Sequence, residues 1–293
     1  YVRGSTPDQN LIMLDGIVVY NPYHLGGIFS TFNTDAIKEA DFHAGGFPAR
    51  HGGRMGAILN VINREGNTNK ITGMANISLI SSKGLLEGPL PKWRGMKGSW
   101  MISGRRTYFD SIVNALKIPS GQNSDGSDSY FQFPYFFYDY QIKVNLDINQ
   151  DHRITYSRFY GDDVLDYTYD DSETIMNQDV ERKYDSGISI KWPWGNRTNG
   201  LIWRWIVSPE LVANFELGEE VDISTEDTSI TFSSLSLNDR TREIAFFIQD
   251  RWEFSDQLKF QLGMRGTVYN LHDKIYLDPR LGMKYHISKN IAF

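Results

Sequence analysis

Apolar and polar residues alternate with a period of two along much of this chain. Residues 136–148 carry apolar side chains at the even positions, 201–217 at the odd positions and 258–268 at the even positions, with mostly polar residues between them. Successive side chains of a β-strand point to opposite faces, so this alternation gives each strand one apolar and one polar face. The pattern predicts a mainly β protein.

The connections between these strands fall into two classes, short and long. Turn-forming residues mark the short ones, and polar residues fill the long ones. The short turns are expected at 149–152, 195–199, 255–257 and 288–290, and the long loops at 109–135, 161–182, 218–229 and 270–278. Brief turns at one end and extended loops at the other are typical of an outer-membrane β-barrel.

A soluble β-sandwich also alternates, but it would bury Ile142, Val144 and Leu146 between two sheets. The length of 201–217 argues against a sandwich. As one strand it would span about 56 Å at ~3.3 Å per residue, more than twice the ~25 Å apolar band of an outer-membrane barrel. Pro209 lies within this segment and indicates a bulge or a break. We therefore favour the membrane barrel.

Aromatic and charged residues bear on the same choice. Four aromatic residues lie beside expected short turns, where a periplasmic girdle belongs: Trp192, Trp194, Trp252 and Phe254. Arg106 and Asp250 occupy the apolar positions of their strands. A lipid-facing Arg at mid-depth would cost about 2–4 kcal/mol, and an acid less. We therefore expect neither residue at mid-depth, and Asp250 at the periplasmic interface.

Composition narrows the function classes. The 293 residues carry a formal net charge of −6 and no long Lys/Arg run, which argues against nucleic-acid binding. A mean hydropathy of −0.41 and the lack of an apolar run near ~18 residues exclude a transmembrane helix but not a membrane barrel. The absence of cysteine excludes a disulfide scaffold and thiol chemistry. Because the chain begins without Met and stops just after a turn, we expect a fragment whose signal peptide lies upstream.

Residues 1–68 differ from the rest, because they are rich in glycine and their apolar segments are short. Residues 10–20 predict two buried strand pieces hinged at Asp15-Gly16, a turn-forming pair. Residues 34–40 predict a short helix, and 57–62 predict another buried strand.

Three segments of this region, in this order and spacing, resemble the plug domain of TonB-dependent outer-membrane receptors: VRG at 2–4, LDGIVVYN at 14–21 and GGFPARHGGRMGAILNVINREG at 45–66. Shorter phrases farther along are similar to the barrel of that family: GRRTYFD at 104–110, FFIQDRWEF at 246–254, LGMRG at 262–266 and DPRLGMKY at 278–285.

The resemblance implies a transmembrane antiparallel β-barrel of about 22 strands that is closed by a small α+β plug. Residues 1–68 would be the plug, incomplete at its N-terminus. Residues 69–293 would be roughly the first ten or eleven strands of the barrel. We therefore expect an open, curved antiparallel sheet rather than a closed tube.

The resemblance also implies a function. The protein would be a transporter in the outer membrane of a Gram-negative bacterium. It would bind an extracellular nutrient, such as a siderophore, cobalamin or an oligosaccharide, and import it into the periplasm by an energy-coupled rearrangement of the plug. The expected partners are a TonB-type energy-coupling protein, outer-membrane lipid and the nutrient, with a surface lipoprotein as a further candidate. No bond is made or broken, so we expect neither enzyme activity nor a cofactor.

The resemblance places candidate ligand contacts at the outer apex of the plug, in residues 21–28. Asn21, Tyr23 and His24 offer stacking and hydrogen bonding there, and ordinary loop packing is the alternative. A metal site is not predicted. The six histidines lack zinc-ligand spacing, and the acidic residues of 162–173 fit either a calcium site or a solvated loop.

Candidate contacts between plug and barrel come from charge. Arg50, Arg54 and Arg64 lie in a segment, 45–64, that has no acidic residue. Inside a barrel we expect them to contact carboxylates on the polar strand faces, such as Asp139 and Asp147, because a guanidinium stays charged and makes forked hydrogen bonds. Surface solvation is the alternative.

Two other functions stay open from the sequence. A passive or adhesive outer-membrane barrel would share the strands but would lack a lumenal plug, so residues 1–68 would pack outside it. A soluble all-β carbohydrate-binding or hydrolytic domain would turn its polar faces to water, and paired carboxylates in a cleft would support it.

Overall fold

The protein is described by a computed structural model. It describes residues 2–6, 9–45, 47, 51, 56–92, 94–122, 128–130, 132–177, 180–207, 211–224, 237–253, 255, 257–269, 272–288 and 291–292. For 129, 166–194, 211–212, 214–224, 237–243, 251, 253, 269, 272–273, 286–288 and 291–292 the description extends to the backbone only.

The N-terminal residues form a small mixed sheet with the strand order β2-β1-β6-β5. β1 and β6 run parallel, and the other pairs are antiparallel. Asp15 and Gly16 join β1 to β2 with positive φ angles of 54° and 90°, so the predicted hinge is confirmed. The strands of this part are β1 (Leu11–Leu14), β2 (Ile17–Val18), β3 (Tyr23–His24), β4 (Phe29–Ser30), β5 (Ile37–His43) and β6 (Ile58–Asn63), with a 3-10 turn at Leu25–Gly27.

The helix predicted at 34–40 is wrong. Residues from Ile37 onward form β5, which pairs antiparallel with β6. Before the strand, the side chain of Asn33 accepts a hydrogen bond from the backbone N–H of Asp35 at 3.2 Å, which makes a local turn instead of a helix cap. Pairing with the buried strand β6 outweighs a helical preference that only about two turns could express.

Most of the remaining chain forms one eleven-stranded antiparallel sheet with the order β19-β18-β17-β16-β15-β14-β13-β12-β9-β8-β7. Neighbours in sequence are neighbours in the sheet, except that a helix and a small hairpin intervene between β9 and β12. The elements are β7 (Thr72–Ile77), β8 (Ser81–Pro89), β9 (Lys97–Thr107), α1 (Phe109–Ala115), β10 (Pro119–Gln122), β11 (Asp128–Tyr130), β12 (Tyr135–Asp147), β13 (His152–Asn177), β14 (Val180–Ile206), β15 (Leu211–Ser224), β16 (Leu237–Glu253), β17 (Leu258–Tyr269), β18 (His272–Ser288) and β19 (Ile291–Ala292).

The two faces of the large sheet differ in polarity, as the alternation predicts. On β12, Gln141, Lys143 and Asn145 are buried, whereas Ile142 and Val144 between them are more exposed. The buried polar residues face the small sheet, because Lys143 and Asn145 hydrogen-bond to it. Several large apolar residues are exposed on the opposite face: Ile102, Leu201, Trp203, Ile244, Ile248 and Met264. This polarity is the reverse of a soluble sandwich.

One length argument drawn from the sequence is wrong, although its conclusion stands. Residues 201–217 are two strands, because β14 ends at Ile206 and β15 begins at Leu211, with Ile206 paired to Val212. Pro209 belongs to the connection and lies outside the described residues. The long strands are instead β13 and β14, of 26 and 27 residues.

Four predicted connections are also wrong. The loop expected at 161–182 is a hairpin in which β13 and β14 pair along their whole length. The loop expected at 218–229 begins inside β15, which runs to Ser224. The loop expected at 270–278 lies mostly in β18. The turn expected at 195–199 is in the middle of β14, so Trp192 and Trp194 do not flank a short turn.

The short turns expected at 149–152 and 255–257 are confirmed, because β13 begins at His152, soon after β12, and β17 begins at Leu258, soon after β16.

The two charges at apolar positions lie near the C-terminal ends of β9 and β16, which are at opposite ends of the large sheet along the strand direction. Arg106 is the second-last residue of β9 and stacks over the ring of Phe136 at 4.8 Å. Asp250 accepts a hydrogen bond from the indole of Trp252 at 2.5 Å, close to the turn at Ser255. In the part of the chain that the structure describes, no helix combines the length and apolarity needed to span a bilayer.

Candidate functional site

The candidate site is the interface between residues 2–66, called here the N-terminal unit, and the polar face of the large sheet, called the inner face. Apolar packing contributes where Phe159 of β13 joins the cluster of Leu14, Val19, Phe32 and Val61, and where Ala36 packs with Leu85 of β8 and Met101 of β9. Most other contacts are polar. They form three clusters, centred on Asp15, His24 and Glu65.

The Asp15 cluster ties the β1–β2 turn to β12 and β13. The carboxylate of Asp15 lies 2.6 Å from the Lys143 ammonium and accepts a hydrogen bond from the Ser157 hydroxyl at 2.7 Å. It also accepts hydrogen bonds from the backbone and side-chain amides of Asn63 at 3.0 and 2.9 Å. All four residues are buried, so Asp15 is a fully paired charge inside the interface.

Lys143 has a second contact with the N-terminal unit. Its ammonium donates to the backbone carbonyl of Asn63 at 2.9 Å. Gly16, the other residue of the turn, donates its backbone N–H to the Asn60 side chain at 3.0 Å. The turn is therefore held both by its own sheet and by the large sheet. The Lys143 ammonium binds two residues of the N-terminal unit, Asp15 and Asn63.

The His24 cluster joins the end of β3 to the part of β12 and β13 that lies far from the short turn between them. His24 is 1% exposed, and its Nδ1 lies 2.7 Å from a carboxylate oxygen of Asp163. Asp163 also accepts a hydrogen bond from the backbone N–H of Leu25 at 3.1 Å and one from the hydroxyl of Tyr135. The imidazole stacks on Phe137, with the two rings 4.1 Å apart and 13° from parallel.

A second carboxylate completes this cluster. Asp139 lies 3.7 Å from Nε2 of His24 and 2.7 Å from the guanidinium of Arg105. Arg105 in turn donates to the backbone carbonyls of Ser30 and Thr31 at 2.9 and 3.2 Å. With His24 protonated, two cations face two carboxylates, and the cluster is electrically balanced.

The environment of His24 favours that protonated form. Burial by itself would lower the pKa of the imidazole, since it disfavours the charged form. The hydrogen bonds and the negative charges of Asp139 and Asp163 outweigh burial, so the pKa of His24 lies above its usual 6.5.

The Glu65 cluster holds the segment that leads from β6 to β7. Glu65 pairs with the Arg153 guanidinium at 2.7 Å and with Lys38 at 3.5 Å. Its backbone carbonyl accepts hydrogen bonds from the side chains of Asn145, at 2.9 Å, and Ser99. Burial opposes ionisation here too, but Arg153 and the nearby lysines hold the pKa of Glu65 below its usual value.

The predicted charge contacts are placed as follows. Arg64 lies 3.9 Å from Glu87 of β8. Asp139 faces the N-terminal unit, and its cationic partners among the described residues are His24 and Arg105. Asp147 is 3.4 Å from Arg153, its neighbour on β13. Arg50 and Arg54 lie outside the described residues.

The predicted apex residues separate into two kinds. Tyr23 is 47% exposed. The backbone of Asn21 is bound by the Asn196 side chain, which accepts from its N–H at 3.1 Å and donates to its carbonyl. His24 is buried, and its ring is enclosed by Phe137 and the carboxylates of Asp139 and Asp163.

A polar cavity of about 460 Å³ lies beside the Asp15 cluster, between the N-terminal unit and the inner face; Lys143, Arg153 and Gln249 line it. No group of three or more potential metal ligands is found among the described residues. Asp162 and Asp163, at the start of the acidic segment 162–173, lie in β13 and point to opposite faces. The side chains of 166–173 lie outside the described residues.

Sequence reasoning missed the residues that carry the interface: Asp15, Lys143, Ser157, Asp163 and Arg153. Asp15 was assigned only to a turn. For the others the signal is partial, since Lys143 occupies a polar position of its predicted strand, whereas Asp163 falls in the loop expected at 161–182. What the sequence did not supply is the partner, because Asp15 and Lys143 are 128 residues apart.

A match to a family model identifies the protein family of this chain. Residues 90–293 match the model described as TonB dependent receptor-like, beta-barrel. The chain belongs to the TonB-dependent receptor family. That family consists of outer-membrane receptors rather than enzymes. In this receptor the inner face is therefore the face of the barrel lumen, and the apolar face is the one turned to lipid.

Solved structures share the fold. A variant of the ferric enterobactin receptor PfeA from Pseudomonas aeruginosa matches with a TM-score of 0.53 and 14% identity, over 99% of this chain and 54% of that one. The siderophore receptor PirA from Pseudomonas aeruginosa gives 0.51 and 14%, over 99% and 55%. The outer membrane transporter YddB from Escherichia coli gives 0.51 and 12%, over 97% and 52%.

The chain spans about half the length of these structures, which accords with an open sheet of eleven strands. Among curated proteins, none matches the chain.

Proposed function

We propose that this chain is the plug and the first part of the barrel wall of an importer in the outer membrane of a Gram-negative bacterium. The receptor binds a nutrient outside the cell and releases it into the periplasm when an energy-coupling protein of the TonB type moves the N-terminal unit. Family membership supports the class of protein. The polar interface around Asp15 supports the mechanism.

The argument from the interface is energetic. A lumenal unit that packed through a large apolar core would resist displacement, because its apolar area would have to meet water. Here the contacts near the Asp15 turn are charges and hydrogen bonds, which water can replace when the unit moves. The contact between Asp15 and Lys143 therefore holds the unit at rest and can be rehydrated on opening.

The location of the N-terminal unit argues against the passive or adhesive barrel, since the unit packs on the inner face and not outside the sheet. The soluble carbohydrate-binding alternative required Ile142, Val144 and their neighbours to be buried between sheets. The structure contradicts it, because the polar face is the covered one.

The nutrient belongs to one of three classes in this proposal: a siderophore, cobalamin or an oligosaccharide. PfeA and PirA are named as receptors for ferric enterobactin and a siderophore, so a ferric catecholate is the first probe to try. Tyr23 and Asn21, near the outer tip, are the proposed ligand contacts. His24 is proposed to position that tip and not to touch the ligand. A surface lipoprotein is a further proposed partner.

A disulfide across the interface tests the mechanism. Residues 1–293 contain no cysteine, so Ile17→Cys with Gly200→Cys introduces one pair there and leaves Asp15 and Lys143 unchanged. A Cβ at position 200 would lie 3.9 Å from the Cβ of Ile17, within the ~3.5–4.5 Å range of disulfides. The matched control is Leu146→Cys with Ile154→Cys, two residues directly paired on neighbouring strands of the wall. Uptake of ferric enterobactin, cyanocobalamin and a maltooligosaccharide would be followed in cells that carry the complete receptor.

We expect uptake of one probe by the unmodified receptor, its loss in the oxidised Ile17→Cys/Gly200→Cys receptor, and its recovery on reduction. The control pair should import in both redox states. Import that continues through the oxidised interface pair would contradict plug movement, and uptake of all three probes without the coupling protein would indicate a passive barrel.

A further inference from the structure

A cluster of arginine and tyrosine side chains lies on the outward face of the wall, away from the N-terminal unit. Its members come from three adjacent strands and are called the outer arginine cluster: Tyr138 and Tyr140 of β12, Arg158, Tyr160 and Asp162 of β13, and Arg197 and Asn199 of β14. The register places them on the apolar face, since Arg158 is paired with Ile142 and Tyr160 with Tyr140.

The guanidinium groups are held by neutral oxygens and aromatic rings. Arg158 donates to the hydroxyl of Tyr140 at 3.1 Å and to the side-chain carbonyl of Asn199 at 3.2 Å. Arg197 donates to the hydroxyl of Tyr160 at 3.0 Å and lies over that ring at 4.7 Å. Tyr160 and Tyr140 stack with their rings 5.1 Å apart. The stacked rings fix both cations in place.

The cluster carries more positive than negative charge. Its one carboxylate, Asp162, accepts hydrogen bonds from Tyr138 and Tyr160 and lies 4.0 Å from Arg197. Arg158 contacts no carboxylate within the cluster. Two guanidinium groups against one carboxylate leave a net charge of +1 among these described side chains. A cation on a lipid-facing surface is costly unless it is paired, so an anion from outside the protein would stabilise these described side chains.

The depth of the cluster indicates where that anion comes from. Near the short turn after β12, His152 stacks on Trp203 and Trp205, which forms one aromatic belt on the outward face. Tyr160 is eight residues farther along β13 than His152. That separation is about 26 Å along the strand and roughly 20 Å along the membrane normal at a tilt of ~40°. With an apolar band of ~25 Å, Tyr160 lies in its outer part, and the long arginine side chains beside it can extend to the headgroups.

We propose that the outer arginine cluster binds the phosphate of an anionic lipid headgroup in the outer leaflet. Phosphate is the group that a guanidinium fork recognises best, through two parallel charge-assisted hydrogen bonds. The hydroxyl of Tyr140, which accepts from Arg158, can donate its proton to a phosphate or sugar oxygen. Ile142, Val144 and Leu201, which follow on the same face toward the periplasmic side, provide an apolar surface for the acyl chains.

Lipid retention by the complete receptor tests this site. Receptor in phosphatidylcholine nanodiscs that contain a phosphorylated glucosamine lipid would be compared with nanodiscs that contain the same lipid after dephosphorylation. Native mass spectrometry counts the retained lipid. The double variant Arg158→Gln/Arg197→Gln should bind the phosphorylated lipid about tenfold more weakly, because it loses both charged donors. Arg204→Gln removes an arginine from the opposite face of β14 and should retain the lipid fully.

Asp162→Asn keeps an acceptor for the tyrosines but removes the one negative charge, so it should retain more lipid than the unmodified receptor. A merely structural cluster predicts no such gain. The Asp162→Asn variant also keeps the test valid if the double variant fails to fold, as judged by heat-modifiable migration on gels. Equal retention of both lipids, or full release by millimolar inorganic phosphate, would overturn the lipid assignment; the second result would indicate a site for free phosphate.

Discussion

Asp15 adopts a left-handed backbone conformation, with φ at 54°, that aspartate and asparagine tolerate better than most residues. The same conformation directs its carboxylate to Lys143 and Ser157 on the wall. Asparagine at this position would keep the backbone and the shape while removing the charge. The residue therefore allows the energetic contribution of the ion pair to be separated from that of the turn.

Asp15→Asn should destabilise the N-terminal unit by about 3–5 kcal/mol, because Lys143 remains buried without its counter-charge. Hydrogen-exchange protection of β1 and β6 in the complete receptor measures this loss. Ser157→Ala removes one hydrogen bond and should cost only about 1 kcal/mol. Combining Asp15→Asn with Lys143→Met should recover most of the loss. A loss of less than about 1 kcal/mol in Asp15→Asn would contradict the role of the charge.

His24 makes the interface sensitive to pH. Its pKa is raised in the folded protein above the ordinary 6.5. A raised folded-state pKa contributes stability that is complete below pH 6.5 and is lost as the pH rises through the folded-state value. The protection of the Leu25 amide, which donates to Asp163, should therefore fall on going from acid to alkaline pH. His24→Gln should abolish this dependence, whereas His152→Gln, far from the interface, should preserve it.

Lys143 and His24 show what sequence reasoning can and cannot predict about a single residue. The polar position of Lys143 in its strand was readable, because alternation fixes which face a residue occupies. Its pairing with Asp15 was not, because contact across 128 residues depends on how one sheet docks on another. His24 was identified as chemically capable, but its burial follows from that same docking.

The strands illustrate both the strength and the failure of local signals. Gly195 was assigned to a turn because glycine and asparagine cluster there. In the structure a Cβ at this position would lie 2.0 Å from the carbonyl oxygen of Gly161 on the neighbouring strand. Glycine is required there by a close approach of two backbones, not by a turn. Composition alone does not distinguish these two uses.

Gly200 of β14 serves the docking of the N-terminal unit. A Cβ at this position would lie 1.7 Å from Cδ1 of Ile17 on β2. Gly200→Val should displace Ile17 and loosen the unit by about 1–3 kcal/mol, as overpacking does. Adding Ile17→Ala should restore part of that stability. Limited proteolysis of the N-terminal unit measures both effects, and equal cleavage of the single variant and the unmodified receptor would refute the contact.

The outward face of β12 should respond to charge according to depth. Val144 lies between the aromatic belt of His152 and the tyrosines near residue 140, at about mid-depth. Val144→Arg should therefore cost about 2–4 kcal/mol in the folding equilibrium in lipid bilayers. His152→Arg, on the same face but at the interface, should cost about 0–1 kcal/mol. Equal costs for the two would mean that this face does not meet lipid.

At the scale of the whole molecule, the polarity of the sheet was predictable and the location of the N-terminal unit was not. Alternation with polar residues at Gln141, Lys143 and Asn145 indicated one polar face, and the turn lengths favoured a barrel. That the small sheet packs on this face followed only from the resemblance of residues 1–68 to a plug. No local pattern encodes it, since the contacting charges are spread over the N-terminal unit and β12–β13.

The eleven-stranded sheet ends in β7 on one side and β19 on the other. Open edges expose unpaired backbone groups, which are costly in lipid and promote association in water. Residues 1–293 produced alone should therefore form oligomers or aggregates in detergent, whereas the complete receptor should be monomeric. Sedimentation velocity distinguishes the two. A stable monomer of residues 1–293 would contradict the need for barrel closure.

The hairpin of β13 and β14 is the longest in the described part of the chain. β12 pairs with β13 as far as Leu165, and the described residues of β15 pair with β14 as far as Trp194. Beyond Leu165, residues 166–177 of β13 extend about 40 Å at ~3.3 Å per residue and pair with β14 throughout. In the proposed orientation this hairpin would project outward from the cell. A bacteriophage fibre or an antibody approaching the bacterium would then meet it before the other described strands of the receptor.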